Sequence, residues 1–186
     1  MTGLKLGPYI ISKFVVLGVL SIIQSLLLTG VFYLTVGAPE QGVMIHPFPE
    51  LFLTTFLTAI SASAMGIFAS SLFKNPDRAM TVAPLLLMPQ ILFSGLLFKL
   101  EGVTKIISWF AICRWSMEGY GTIADLNGLK YMVEINGEMT EIAHEAEDFF
   151  EYTAGHLTRS WLYMLIFVIV FAVLSGISLM GIRKDR

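Results

Sequence analysis

Apolar residues along this chain gather into four runs that contain no charged residue: 14–36, 51–73, 79–98 and 161–182, of 23, 23, 20 and 22 residues. At about 1.5 Å of rise per residue, each run reaches across the roughly 30 Å of a bilayer's hydrocarbon core. Backbone amides in hydrocarbon must find partners within their own segment, so each run is predicted to be a transmembrane helix. The fold class expected is an all-α polytopic membrane protein, a single domain over residues 1–186. It has four transmembrane helices, a short re-entrant or interfacial helix, and a small hairpin-helix loop outside the membrane.

The segments between the runs have their own patterns. Residues 2–13 precede the first span, and Gly7-Pro8 there should break any continuous helix and leave the segment along the membrane interface. The linker with Pro39, Pro47 and Pro49 returns the chain into the second span. The five-residue turn 74–78 is too short to separate its neighbours, so the second and third spans form an antiparallel pair. Pro84 and Pro89 are expected to kink the third span.

The loop 99–160 carries an apolar octet, 106–113, too short to span but suited to dip into the interface, where Trp109 and Trp115 favour that depth. Residues 130–135 alternate, and Asn136-Gly137 supplies a tight turn, which together predict a hairpin. Residues 142–152 place Ile142, Ala146, Phe149 and Phe150 at helical spacing, so a short acidic helix is expected before the last span.

Charge orients the spans. Segments 1–13, 74–78 and 183–186 hold seven Lys and Arg against two Asp, whereas 37–50 and 99–160 hold five against twelve Asp and Glu. The positive side is cytoplasmic, which puts both termini in the cytoplasm and the 99–160 loop outside, in the plasma (bacterial inner) membrane.

Candidate chemistry is sparse. The Gly176 to Gly181 spacing is followed by Ile182-Arg183 and cannot cradle a phosphate as Lys-Ser or Lys-Thr would, so the chain is not expected to hydrolyse ATP. His46, His144 and His156 fall in outer loops without ligand spacing, and no metal site or catalytic residue is expected. A single Cys113 forms no disulfide within the chain. No Asp, Glu, Lys, Arg or His lies inside a span, which argues against a proton relay or a membrane enzyme. Gln24 sits near mid-membrane with Ser21 and Ser25, where its amide must face protein or water; it lines a substrate path or bonds another helix. Small residues recur at Ala62, Gly66 and Ser70 and at Ala172 and Gly176, the spacing that lets helices approach closely.

Three motifs in order carry a resemblance. They are Gly7-Pro8-Tyr9-Ile10-Ile11-Ser12-Lys13, Phe93-Ser94-Gly95-Leu96-Leu97 and Arg114-Trp115-Ser116-Met117-Glu118-Gly119-Tyr120. The chain resembles the membrane domain of type 2 ABC exporters, both bacterial members with forkhead-associated domains and eukaryotic G-subfamily members. Cys113 departs from the proline those permeases often carry before the arginine. They have six membrane helices, of which this chain matches the last four, so the resemblance implies a truncated piece or one portion of a split permease.

The resemblance also implies roles. Leu96 and Leu97 match a leucine pair that forms an apolar plug, with Ser94 and Gly95 beside them in the same motif, since an apolar constriction excludes water without charge. Trp109, Arg114, Trp115 and Glu118 belong to the external re-entrant segment, while Lys5, Tyr9 and Lys13 lie where the ATPase docks. Partners implied are a nucleotide-binding ATPase that carries the ATP and Mg, a second permease copy, the missing N-terminal membrane helices and the lipid bilayer. No cofactor on this chain and no nucleic acid are expected. The rival reading is a four-helix structural or assembly protein of the membrane that binds a partner through its external loop.

Overall fold

The computed structural model describes residues 6–37, 39, 41–73, 75–135, 138–143 and 147–184. Three helices are long and apolar enough to cross a membrane: α1 (Leu6–Thr35), α2 (Pro47–Ser71) and α6 (Ala154–Lys184). Between α2 and α6 lie α3 (Pro76–Leu92), α4 (Gly102–Ser108), α5 (Ile112–Ile123) and a two-stranded hairpin of β1 (Lys130–Ile135) and β2 (Glu138–Ala143).

Several boundaries differ from expectation for local reasons. Gly7-Pro8 does not interrupt α1, because Pro8 falls in the first helical turn, where its missing N–H has no intrahelical partner to lose. At the other side of the second connection, the Asn75 side chain accepts from Asp77 N at 3.0 Å and Pro76 occupies the first helical turn, so α3 starts inside the expected turn 74–78.

The run 79–98 is not one helix. α3 has 17 residues and stays helical through both prolines, then ends at Leu92. At about 1.5 Å per residue it is roughly 26 Å long, short of a full hydrocarbon core. The chain leaves the helix because Ser94 Oγ donates to Ile91 O at 2.8 Å and accepts from Leu96 N at 3.2 Å, while Gly95 adopts φ +85°, a conformation open to glycine.

The octet 106–113 is a corner, since α4 stops at Ser108 and α5 starts at Ile112. Its new N-terminus is capped from a distance: Gln90 Oε1 on α3 accepts from Ile112 N at 2.7 Å and Cys113 N at 3.3 Å. The hairpin pairs antiparallel from Lys130↔Ala143 to Ile135↔Glu138. Its Asn136-Gly137 turn lies outside the described residues.

The acidic helix over 142–152 does not form. Ile142 sits in β2 opposite Tyr131, and among the described residues between β2 and α6 the only regular element is a 3-10 turn, Asp148–Phe150. The Asn127 amide holds that stretch, donating to Glu147 O at 2.9 Å and Phe150 O at 3.0 Å and accepting from Glu147 N at 2.9 Å. Ala146, the second helix position named, lies outside the described residues. α6 begins seven residues before the apolar run, where Thr153 Oγ1 accepts from His156 N at 3.3 Å, so His156 and Arg159 are helical rather than in a loop.

α2 is the hub. Two apolar clusters, Leu51 with Ile123 and Leu157 and Leu57 with Trp115 and Met164, join it to α5 and α6. Hydroxyls tie the same helices together: Thr58 to Ser116 at 2.8 Å, Thr55 to Tyr120 at 2.8 Å, Ser61 to Met164 O at 2.9 Å, and Ser178 to Ser71 O at 2.7 Å. Such bonds hold helices together where water-driven hydrophobic packing is weak. The small-residue stripe Ala62, Gly66 and Ser70 stays exposed; the packed face turns one residue away, through Ser61, Ala64, Met65 and Ala69. Gly176 does pack, with α1 Ile10 nearby.

Candidate functional site

The chain concentrates its buried charge where α5 meets the start of α6. Glu118 is 1% exposed, and its Oε1 receives His156 Nε2 at 2.8 Å and Arg159 Nη2 at 2.9 Å. Arg159 Nη2 also lies 2.9 Å from His156 Nδ1. A guanidinium only donates, so Nδ1 accepts and the ring proton sits on Nε2, facing the carboxylate. The other carboxylate oxygen, Oε2, stands 3.7 Å from Arg114 Nε, beyond hydrogen-bond reach.

Arg114 is itself buried. Its guanidinium carbon lies 4.4 Å from the Trp115 ring centroid, 5.2 Å from that of Trp109 and 5.6 Å from that of Phe149. Three ring faces thus surround a desolvated cation whose Nε and Nη1 have no hydrogen-bond partner among the described residues. Burial holds its pKa below the usual arginine value, and the Glu118 charge opposes that shift.

Trp115 is the anchor of the cage. It stacks on α6 Tyr163 with centroids 3.9 Å apart and donates from Nε1 to Trp109 O at 3.1 Å, while Trp109 meets both rings edge-on. Above the cage opens a cleft of about 550 Å³ whose walls include Gly95, Lys99, Trp109, Arg114, Glu118 and Phe149. A Cβ on Gly95 would sit 3.1 Å from the Phe149 ring, so the turn after α3 rests directly on the segment that precedes α6. His156 Nε2 reaches Phe149 O at 3.2 Å, which links that turn to the charge cluster.

The structure therefore brings together Gly95, Trp109, Arg114, Trp115 and Glu118 from the residues singled out in the sequence. Ser94 is buried beneath the same turn, and Leu96 and Leu97 project from it, 66% and 62% exposed. Gln24 is elsewhere, exposed on α1, while Ser21, Ser25 and Thr29 form the buried polar stripe on that helix. Lys13 is exposed on α1, Tyr9 lies in its first turns, and Lys5 falls outside the described residues.

Sequence reasoning missed His156, Arg159, Tyr163 and Phe149 as members of the site. The available signal was Thr153, a helix-capping residue three positions before His156, which would have extended α6 and placed His156 and Arg159 on adjacent turns. It also missed Glu50, 1% exposed, whose carboxylate accepts from Val43 N at 2.9 Å, Met44 N at 2.6 Å and Ile45 N at 2.8 Å and so shapes the α1–α2 connection. The cluster supplies a buried ionic fastener between two helices, and both carboxylate oxygens of Glu118 face a cation or imidazole of the chain itself.

Comparison with known proteins agrees with this architecture. Residues 1–134 match the family model described as ABC-2 type transporter. The ABC transporter ATP-binding/permease protein Rv1747 of Mycobacterium tuberculosis is 28% identical over 128 residues, covering 67% of this chain and 15% of that protein. ABC transporter G family member 22 of Arabidopsis thaliana is 28% identical over 129 residues, covering 66% of this chain and 16% of its own length. The ABC transporter ATP-binding protein/permease wht-1 of Caenorhabditis elegans is 24% identical over 115 residues, 56% of this chain and 17% of that protein. The chain thus spans about a sixth of the length of these relatives. With apolar helices able to cross a membrane and a family match over most of its length, this chain belongs to the ABC-2 type transporter family, whose domain is the transmembrane part of ABC transporters.

Proposed function

We propose that the chain is the membrane-spanning permease part of an ATP-driven exporter, forming path and gate while a partner subunit or domain hydrolyses ATP with Mg. The observation that carries this is the family match over 1–134, joined with relatives whose names pair ATP binding with a permease. In this reading residues 135–186 continue the same domain, α3 together with the apolar turn 93–98 that follows it makes a fourth crossing, and both termini lie in the cytoplasm of a plasma membrane. A second copy completes the path.

The mechanism follows from which parts touch. ATP-driven closure of the partner pushes on the start of α1 near Tyr9 and Lys13, and α1 packs on α2, the hub for α5 and α6. The cage around Arg114 and the Glu118 fastener keep α5 and α6 moving as one. Phe149 against Gly95 carries that motion to the Leu96–Leu97 turn, an apolar plug that opens when the turn tilts. Spans without charge favour amphipathic or lipidic cargo over ions or sugars.

Membranes holding the chain with its ATPase partner are expected to expel an amphipathic dye when ATP and Mg are supplied. The double change Leu96→Ala, Leu97→Ala is expected to let dye leak without ATP. Dye movement and ATPase rate that both ignore the double change overturn the gate. Crosslinking from Lys13 that captures no nucleotide-binding protein overturns the exporter itself.

A further inference from the structure

A second recess, about 410 Å³, lies between α1, α2 and the end of α5, away from the charge cluster. Its walls include Leu28, Thr29, Phe32, Leu51, Thr55 and Tyr120, and none of its lining residues is ionised. A charged group entering it would shed hydration with no counter-ion to meet, so the recess selects uncharged molecules. Its size and its apolar walls with a few hydroxyls are those of a small-molecule site.

The hydroxyls there differ in one respect. Thr55 Oγ1 is committed, to Leu51 O at 2.7 Å and to Tyr120 at 2.8 Å. Many helix hydroxyls fold back on the carbonyl one turn before, as Thr54, Thr58, Ser61 and Ser175 do, whereas on α1 both Ser25 and Thr29 are buried without a partner among the described residues, and of these two Thr29 lines the recess. Thr29 is 3% exposed, lines the recess, and its hydroxyl has no hydrogen-bond partner among the described residues. A buried hydroxyl left unpaired in an apolar wall is an open valence for one ligand oxygen.

We propose that this recess binds an uncharged lipid of the surrounding leaflet, with its apolar body against Leu28, Phe32 and Leu51 and one hydroxyl or ester oxygen bonded to Thr29. The way in is from the bilayer, because the rim residues Leu28 and Phe32 are exposed on a helix long and apolar enough to cross a membrane. Binding needs no nucleotide, so failure of this site would leave the transport reading untouched.

The test uses membranes from cells expressing the full chain, photolysed with a diacylglycerol carrying a diazirine on its acyl chain, or with the matching phosphatidic acid. The diacylglycerol is expected to label the peptides holding Phe32 and Leu51, and the phosphatidic acid is not. Thr29→Val, which keeps the shape and removes the hydroxyl, is expected to raise the concentration needed about tenfold, the equivalent of about 1.4 kcal/mol, while Thr29→Ser keeps the parent value. Leu28→Trp, a change at the exposed rim, is expected to abolish labelling. Equal labelling by both probes, or labelling indifferent to Thr29→Val, overturns the proposal. So does a Leu28→Cys variant that crosslinks to another protein helix, because the recess would then be a seat for protein.

Discussion

Replacing Glu118 with glutamine tests the ionic fastener directly. The shape is conserved and the charge removed, so the change isolates what the carboxylate does for its three partners. Arg159 has a side chain 51% exposed, so it regains water and contributes little to the loss. His156 Nε2 still finds the glutamine carbonyl as acceptor. Arg114 decides the magnitude, because its side chain is 6% exposed and no other carboxylate is paired with it among the described residues. Stranding one partner of a buried pair costs about 3–5 kcal/mol. The cage of Trp109, Trp115 and Phe149 retains about 0.5–2 kcal/mol of that through cation–π attraction. The net expectation is a loss of about 1–4.5 kcal/mol, or roughly 2–18 °C in Tm for a domain of this size.

The assay is available within the chain. Cys113 is the single cysteine and sits at the start of α5, so a thiol-reactive dye followed during heating reports the melting of this helix. Replacing the whole pair, Arg114→Met with Glu118→Gln, removes the stranded charge and is expected to recover most of the lost stability. A single variant that melts within about a degree of the parent, or a double variant no better than the singles, would refute the claim that the Glu118 carboxylate stabilises this cluster by offsetting the buried Arg114 charge.

Two further outcomes follow from the packing. Gln90→Leu strips the acceptor from Ile112 N and Cys113 N, an expected loss of about 1–2 kcal/mol. Burial pushes the Cys113 thiol up, so its thiolate is scarce near neutral pH and parent labelling by a maleimide is slow and rises with pH; Gln90→Leu is expected to speed it. An unchanged rate would contradict the cap. Gly121→Ala puts a Cβ into the Phe150 ring and is expected to abolish accumulation of folded protein, whereas Gly66→Ala, with nothing within 4 Å, is expected to leave it unchanged. Equal yields of the two variants would count against the close approach of α5 and the 3-10 turn.

Spans α1, α2 and α6 and the β1–β2 pairing were legible in the residues themselves, since run length, exclusion of charge and alternation are local properties. The membership in a transporter family rested likewise on short motifs that stand in order. The end of α3 at Leu92 was not legible, because apolarity continues to Phe98 and the turn depends on the Ser94 hydroxyl and the φ of Gly95. Nor was the acidic helix excluded by its own periodicity; the amide of Asn127, twenty residues from Glu147, decided against it. Only the tertiary structure could assemble Arg114, Glu118, His156 and Arg159, since Glu118 and Arg159 are 41 residues apart and each reads alone as a solvated charge. It likewise decided which face of α2 packs and that the buried hydroxyls of Ser25 and Thr29 on α1 are left without a partner among the described residues. Partition into a bilayer is a sum over neighbouring residues and can be read along the chain, whereas the pairing of buried polar groups depends on which distant segments arrive together.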